Sequence, residues 1–177
     1  MQKRPHFSAP DRRAAELLRK LELHRVPVDV RSVAERLGAK VVYEDLDEDV
    51  SGFLLCENGA STIAINQQHH PNRQRFTLAH ECGHLHLHAD RGDRLWVDKT
   101  LFFRDASSST GDHRAEIEAN QFAAGLLMPA ELVLSEFEPD HEFTEADVVR
   151  LALRFEVSER AMMVRLISLG LIASVAA

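Results

Sequence analysis

The chain has 177 residues, 45% hydrophobic and 28% charged, which suits one globular domain with at most a small appendage and excludes a disordered chain. Its 21 Lys and Arg against 28 Asp and Glu leave a formal net charge of −7, so bulk charge does not fit it to coat nucleic acid. No apolar run approaches the ~20 residues of a membrane helix, no apolar signal segment follows Met1, and Cys56 and Cys82 are too few for a disulfide scaffold, so the chain reads as cytoplasmic and reduced.

Residues 1–9 read as a frayed N-terminus. Pro10 suits the first turn of an amphipathic helix carrying Leu17, Leu18, Leu21 and His24 at helical spacing, which Pro27 would end near Arg25. A short helix over 30–37 follows, with Asp29 as N-cap and Gly38 just past its end. Lys40 to Tyr43 predicts a strand, 44–49 an acidic loop, and 52–66 a hairpin turning at Asn58-Gly59. Pro71 opens a central helix that runs to about Leu87. Residues 90–112 read as loop with one strand at Leu101 to Phe103. Asp112 can cap the next helix, which Pro129 closes, and two further helices over 145–155 and 158–169 carry Thr144 and Ser158 as caps. The expected organisation is a core over 10–130 and a helical, helix-turn-helix-like subdomain over 131–177 packed on it.

Six of the ten histidines, His69, His70, His80, His84, His86 and His88, fall within one 20-residue window. The sharpest pattern there is His80-Glu81-Cys82-Gly83-His84, an HExxH inside a predicted helix. Positions i and i+4 share a helix face, so both imidazoles can bind one metal ion. Glu81 sits one step round, where it can serve as base toward a metal-bound water. A catalytic zinc takes a third protein ligand. The metzincin spacing would need Gly at 87 and His at 90, but these are Leu87 and Asp90. The following helix offers Glu116 and Asn120 on one face, while Glu118 points about 200° away from Glu116 and reads as a solvated carboxylate. Glu116 is therefore the expected third ligand, with Asn120 placed to hydrogen-bond a ligand histidine on its outer nitrogen. Ala119 and Ala123 are small enough to let the two helices approach closely.

The paired segments RQRFTLAHECGHLHLH and EIEANQFAAGLLMP resemble the ImmA/IrrE family of bacterial metallopeptidases. The resemblance extends to GFL and AIN before the motif and VSERAMMVRLISLGLI near the C-terminus, about residues 12–171. It implies an α+β, zincin-like core: a small antiparallel-leaning sheet beside the two helices, with helical N- and C-terminal parts. It also implies a gluzincin-type site in which His80, His84 and Glu116 bind the metal and Glu81 is the base. The implied function is a zinc-dependent endopeptidase that cleaves a helix-turn-helix repressor and relieves repression in a stress, defence or mobile-element response. Two nitrogens and one oxygen do not strictly select zinc, and manganese or iron would also fit. The alternatives are a metal-stabilised regulator that docks on a repressor or DNA without cutting, and a non-peptidic metallohydrolase with the same site. Cys82 departs from the aliphatic residue more usual there.

The remaining candidates are weaker. His86 faces away from the metal stripe and reads as surface. His88 lies where it can orient a ligand or the backbone. His69 and His70 read as loop histidines, Cys82 as a buried apolar residue, and Met128-Pro129 as helix termination. His141, His113 and Arg104 are the candidates for an oxyanion donor. Arg150, Arg154, Arg160 and Arg165 could meet phosphates, interrupted by Glu156 and Glu159, so any DNA contact is expected to be weak and sequence-independent. In the hairpin Gly52, Leu54 and Cys56 share a strand face, and Cys56 is a candidate inhibitory fourth metal ligand that would hold the enzyme latent.

Overall fold

The computed structural model of the protein describes residues 7–88, 94–99, 110–138, 141 and 143–172. Among these, helices α1 (Ala9–Lys20) and α2 (Val30–Arg36) lead into strands β1 (Ala39–Glu44), β2 (Val50–Glu57) and β3 (Ala60–Asn66). The long helix α3 (Pro71–His88), strand β4 (Arg94–Lys99) and the long helix α4 (Thr110–Leu127) follow, then α5 (Ala130–Leu134), α6 (Glu145–Phe155) and α7 (Glu159–Ser168). No helix among the described residues is long and apolar enough to cross a membrane.

The sheet runs β1-β3-β2-β4. The β2–β3 hairpin turns through Asn58 and Gly59, both left-handed at φ 52° and 79°, as a primed turn requires. β2 is antiparallel to both β3 and β4, and β1 is parallel to β3, so the sheet is mixed within an α+β fold. Alternation along the hairpin buries Leu54, Ile63 and Ile65 on one face. α3 lies against that face, with α4 on its other side and α1 packed on α4. Enclosed in this way, α3 is buried at every position from Thr77 to Leu85, so it shows no simple amphipathic stripe. Asn66, fully buried at the end of β3, donates to the carbonyls of Leu46, Asp47 and Val50 and accepts from the Gln68 amide, clasping the acidic loop to the sheet.

The C-terminal helices share this core. Leu151, Phe155, Met162 and Leu166 belong to the same buried cluster as the α3 and α4 residues. Arg165 of α7, 5% exposed, forms two hydrogen bonds to the carboxylate of Asp11 on α1 at 2.8 and 2.9 Å and a third to the carbonyl of Met128. Thr144 caps α6 through a reciprocal pair of hydrogen bonds with Asp147, and Ser158 caps α7.

Four elements differ from expectation, the first being α4, which opens at Thr110 and so takes in Asp112, the residue expected to cap it. α1 ends at Lys20 rather than near Arg25. Glu22 takes a left-handed conformation, the Glu22 amide donates to Arg19 and the Leu23 amide to Leu18, closing the helix well before Pro27. Residues 94–99 form the edge strand β4, where a loop is expected. The strand expected at Leu101 to Phe103 lies outside the described residues. The short α5 follows Pro129 and has no counterpart in the sequence reading.

Candidate metal centre

α3 and α4 bring three donor groups to one point. The Nε2 atoms of His80 and His84 stand 2.9 Å apart, as expected for i, i+4 positions on one face. The Glu116 carboxylate reaches across from α4, Oε2 at 3.2 Å from His80 Nε2 and Oε1 at 3.2 Å from His84 Nε2. One donor atom from each residue lies within 4.8 Å of the others, the sole such cluster of three or more among the described residues. Two imidazoles and a carboxylate are the donor set of a three-ligand catalytic zinc site.

Protonation favours ligation. Burial pushes the His84 imidazole down to about 4, so near neutral pH the ring is uncharged. Burial works to raise the Glu116 carboxyl, but hydrogen bonds to His80 and His84, with the charge of both, outweigh it and hold the group at about 2. Neutral imidazole and ionised carboxylate are the forms that bind a metal. Asn120, one turn along α4 from Glu116, stands with Oδ1 3.0 Å from His80 Nδ1. An amide oxygen only accepts, so Nδ1 donates to Asn120, and Nε2, which faces Glu116, is the nitrogen that would give its lone pair to a metal in place of a proton. Glu81 is wholly buried on the same turn of α3 as His80.

Close helix approach makes the cluster reachable. A Cβ on Gly83 would fall 3.1 Å from Ala119 Cα. Ala119 and Ala123 are fully buried between the helices. Glu118 points away: it pairs with Arg114 at 2.9 Å and lies 3.8 Å from His88 Nε2, partly buried rather than fully solvated. His88 itself is buried.

Other candidates are not gathered here. Cys56 stands opposite Ser61 in the hairpin register, its sulfur 3.5 Å from the Ser61 hydroxyl, and is not part of the three-donor cluster. The shared strand face is as expected, but it carries Cys56 toward the hairpin tip, beyond Leu54. His141 bonds Asp147 at 3.0 Å at the start of α6, so it serves that cap. His113 is exposed on α4, and Arg104 lies outside the described residues. His70 accepts from the Asn72 amide at the start of α3. His86 is exposed, and Cys82 is fully buried, its thiol pushed far up by burial. Of the arginines offered to phosphates, Arg150 and Arg154 pair with Glu136, and Arg165 is buried on Asp11 and unavailable.

The sequence reading missed Trp96. Its indole stacks on the His84 imidazole with centroids 4.3 Å apart and planes 23° apart. The signal was present in the alternation of Arg94 to Lys99, which places Trp96 on the opposite strand face from Leu95 and Val97.

Comparison with known proteins follows the same residues. The Peptidase_M78 family, described as the IrrE N-terminal-like domain, matches residues 34–166. Immunity region protein 2 of Bacillus phage phi105 is 29% identical over 116 residues, 66% of this chain and 67% of the phage protein. The radiation response metalloprotease IrrE of Deinococcus deserti is 40% identical over 99 residues, 54% of this chain but only 32% of that protein. A solved structure described as a Mycobacterium tuberculosis transcriptional regulator superposes with a TM-score of 0.59 at 19% identity, over 89% of this chain and 46% of that one, a likeness of fold. With a family match running from Ala34 to Leu166, through both helices of the donor cluster, the chain belongs to the Peptidase M78 family and is a zincin-like metallopeptidase of the IrrE N-terminal-like type.

Proposed function

We propose that the protein is a zinc-dependent endopeptidase whose substrate is a helix-turn-helix transcriptional repressor, and that cleavage relieves repression in a stress, defence or mobile-element response. The observation that carries the reading is the meeting of His80 Nε2, His84 Nε2 and the Glu116 carboxylate, with Glu81 beside them on the same buried helix. Zinc held by these three residues would supply Lewis acidity for the scissile carbonyl and lower the pKa of a water. In this reading Glu81 takes a proton from the attacking water on its carboxylate and passes it to the leaving amine. Asn120 holds His80 in the tautomer that presents Nε2. Manganese or iron would suit the same donors; zinc is the default for two imidazoles and one carboxylate that leave a position open for water.

A regulatory protein substrate is supported by the named roles of the relatives, one from a phage immunity region and one a radiation response metalloprotease. DNA contact has a small part in this reading, because three of the four arginines offered for it are paired with carboxylates. The test is incubation of the zinc-loaded protein with repressors encoded beside its gene, followed by mass spectrometry. Defined fragments from one repressor are expected. Relief of repression in cells by a Glu81→Gln variant as complete as by the unchanged protein would replace this reading with the non-cleaving regulator.

A further inference from the structure

The two histidines of the cluster are held differently. His80 has Asn120 on its outer nitrogen. His84 has no counterpart: its Nδ1 is buried and meets no hydrogen-bond partner among the described residues. A buried imidazole without an outer hydrogen bond needs some other restraint on ring rotation if its Nε2 is to stay on target. Trp96 lies flat against it, centroids 4.3 Å apart, and is itself buried. On the indole's own ring sits the Arg94 guanidinium, 4.4 Å from the centroid. The His88 ring lies 5.8 Å from the indole. Trp96 is fixed by register, opposite Leu54 of the central strand β2.

We infer that Trp96 is the positioning residue of His84, doing by stacking what Asn120 does for His80 by hydrogen bonding. The inference rests on the metal reading of the cluster. Facing rings restrict rotation about the imidazole's last torsion, so Nε2 remains aimed at Glu116 without a partner on Nδ1. It also ties the metal centre to β4, the edge strand of the sheet. Displacing that strand would move the indole and loosen His84, although β4 contributes none of the three donors.

The test uses zinc affinity by chelator competition and the visible spectrum of the cobalt-substituted protein. Trp96→Leu is expected to weaken zinc by about tenfold or more, the usual effect of losing an outer partner of a metal ligand, and to alter the cobalt bands. Trp96→Phe keeps a stacking ring and should restore most of the affinity and the spectrum. Leu95→Ala, at a neighbouring position 56% exposed, should change neither. Trp96 is the single tryptophan of the chain, so one equivalent of cobalt should quench the indole fluorescence of the unchanged protein. A Trp96→Leu variant that melts lower but binds zinc and cobalt as before would show a purely structural role and overturn the inference. If that variant does not fold, unquenched fluorescence at full cobalt occupancy, or a Trp96→Phe protein whose affinity falls as far as removal of a ligand, overturns it instead. Failure of the unchanged protein to bind any metal would be a failure of the metal reading itself, and this inference would fall with it.

Discussion

Gly83 on α3 and Ala119 on α4 set the separation of the two donor-bearing helices. A Cβ on Gly83 would lie 3.1 Å from Ala119 Cα, 3.2 Å from the Ala119 carbonyl oxygen and 3.3 Å from Phe122 Cδ1. Two of those three atoms are backbone and cannot swing aside. The glycine inside the HExxH is therefore a spacing device, and the reach of Glu116 and Asn120 across to the α3 histidines depends on it.

Gly83→Ala is expected to push α4 outward by a few tenths of an ångström and to cost about 1–3 kcal/mol, the range for overpacking a dense core. Zinc affinity should fall as well, because Glu116 and Asn120 retreat with the helix. Urea unfolding and zinc titration of the one variant check both effects, and unchanged zinc binding would separate helix spacing from the donor cluster.

Glu116→Gln should lose zinc far more severely than Glu118→Gln. Glu116 faces both imidazoles at 3.2 Å, whereas Glu118 bonds Arg114 and lies nearest His88, outside the donor cluster. The loss at Glu116 should exceed the ~10–100-fold typical of outer-shell changes. Metal content of the two purified variants decides it, and equal content would overturn the choice of third ligand.

Arg165→Ala should be strongly destabilising, by about 3–5 kcal/mol, because it strands the buried Asp11 carboxylate. The paired change Asp11→Ala with Arg165→Met removes both charges and should recover much of the loss. Denaturant midpoints of the single and double variants make the comparison.

The α6 cap gives an acid-side prediction. The His141 imidazole, then the Thr144 backbone amide and hydroxyl, hold the Asp147 carboxyl well below its usual 3.8. A lowered carboxyl contributes stability that is complete above the unfolded value and fades as pH falls toward the folded one. At neutral pH Asp147→Ala should therefore cost about 1 kcal/mol, a typical capping loss. The gap between variant and unchanged protein should persist to about pH 4 and narrow only below it. Urea unfolding at several pH values measures that gap, and narrowing already between neutrality and pH 5 would contradict the sign.

Much of the donor cluster was legible because helical periodicity fixes which side chains share a face. His80 with His84, and Glu116 with Asn120, needed only the spacing of four. The hairpin was equally plain from Asn58-Gly59. What escaped the sequence depended on contacts between distant elements. The end of α1 was hidden because Glu22, not glycine, takes the left-handed position, and burial of Leu23 gives that turn its anchor. Trp96 escaped because β4 is short and held in place by β2. Cys56 shares a face with Leu54, as the alternation requires, but periodicity does not report distance along a strand, and its sulfur sits at Ser61.

The most direct measurement of the central claim is the rate of repressor cleavage by the unchanged protein and by Glu81→Gln at equal zinc occupancy, followed by mass spectrometry. General acid–base catalysis is worth about 10²–10⁴-fold, so fragments should form at least about a hundredfold more slowly with the variant while zinc stays bound. Equal rates at equal zinc content would contradict the account, since Glu81 would then have no part in peptide hydrolysis at this site.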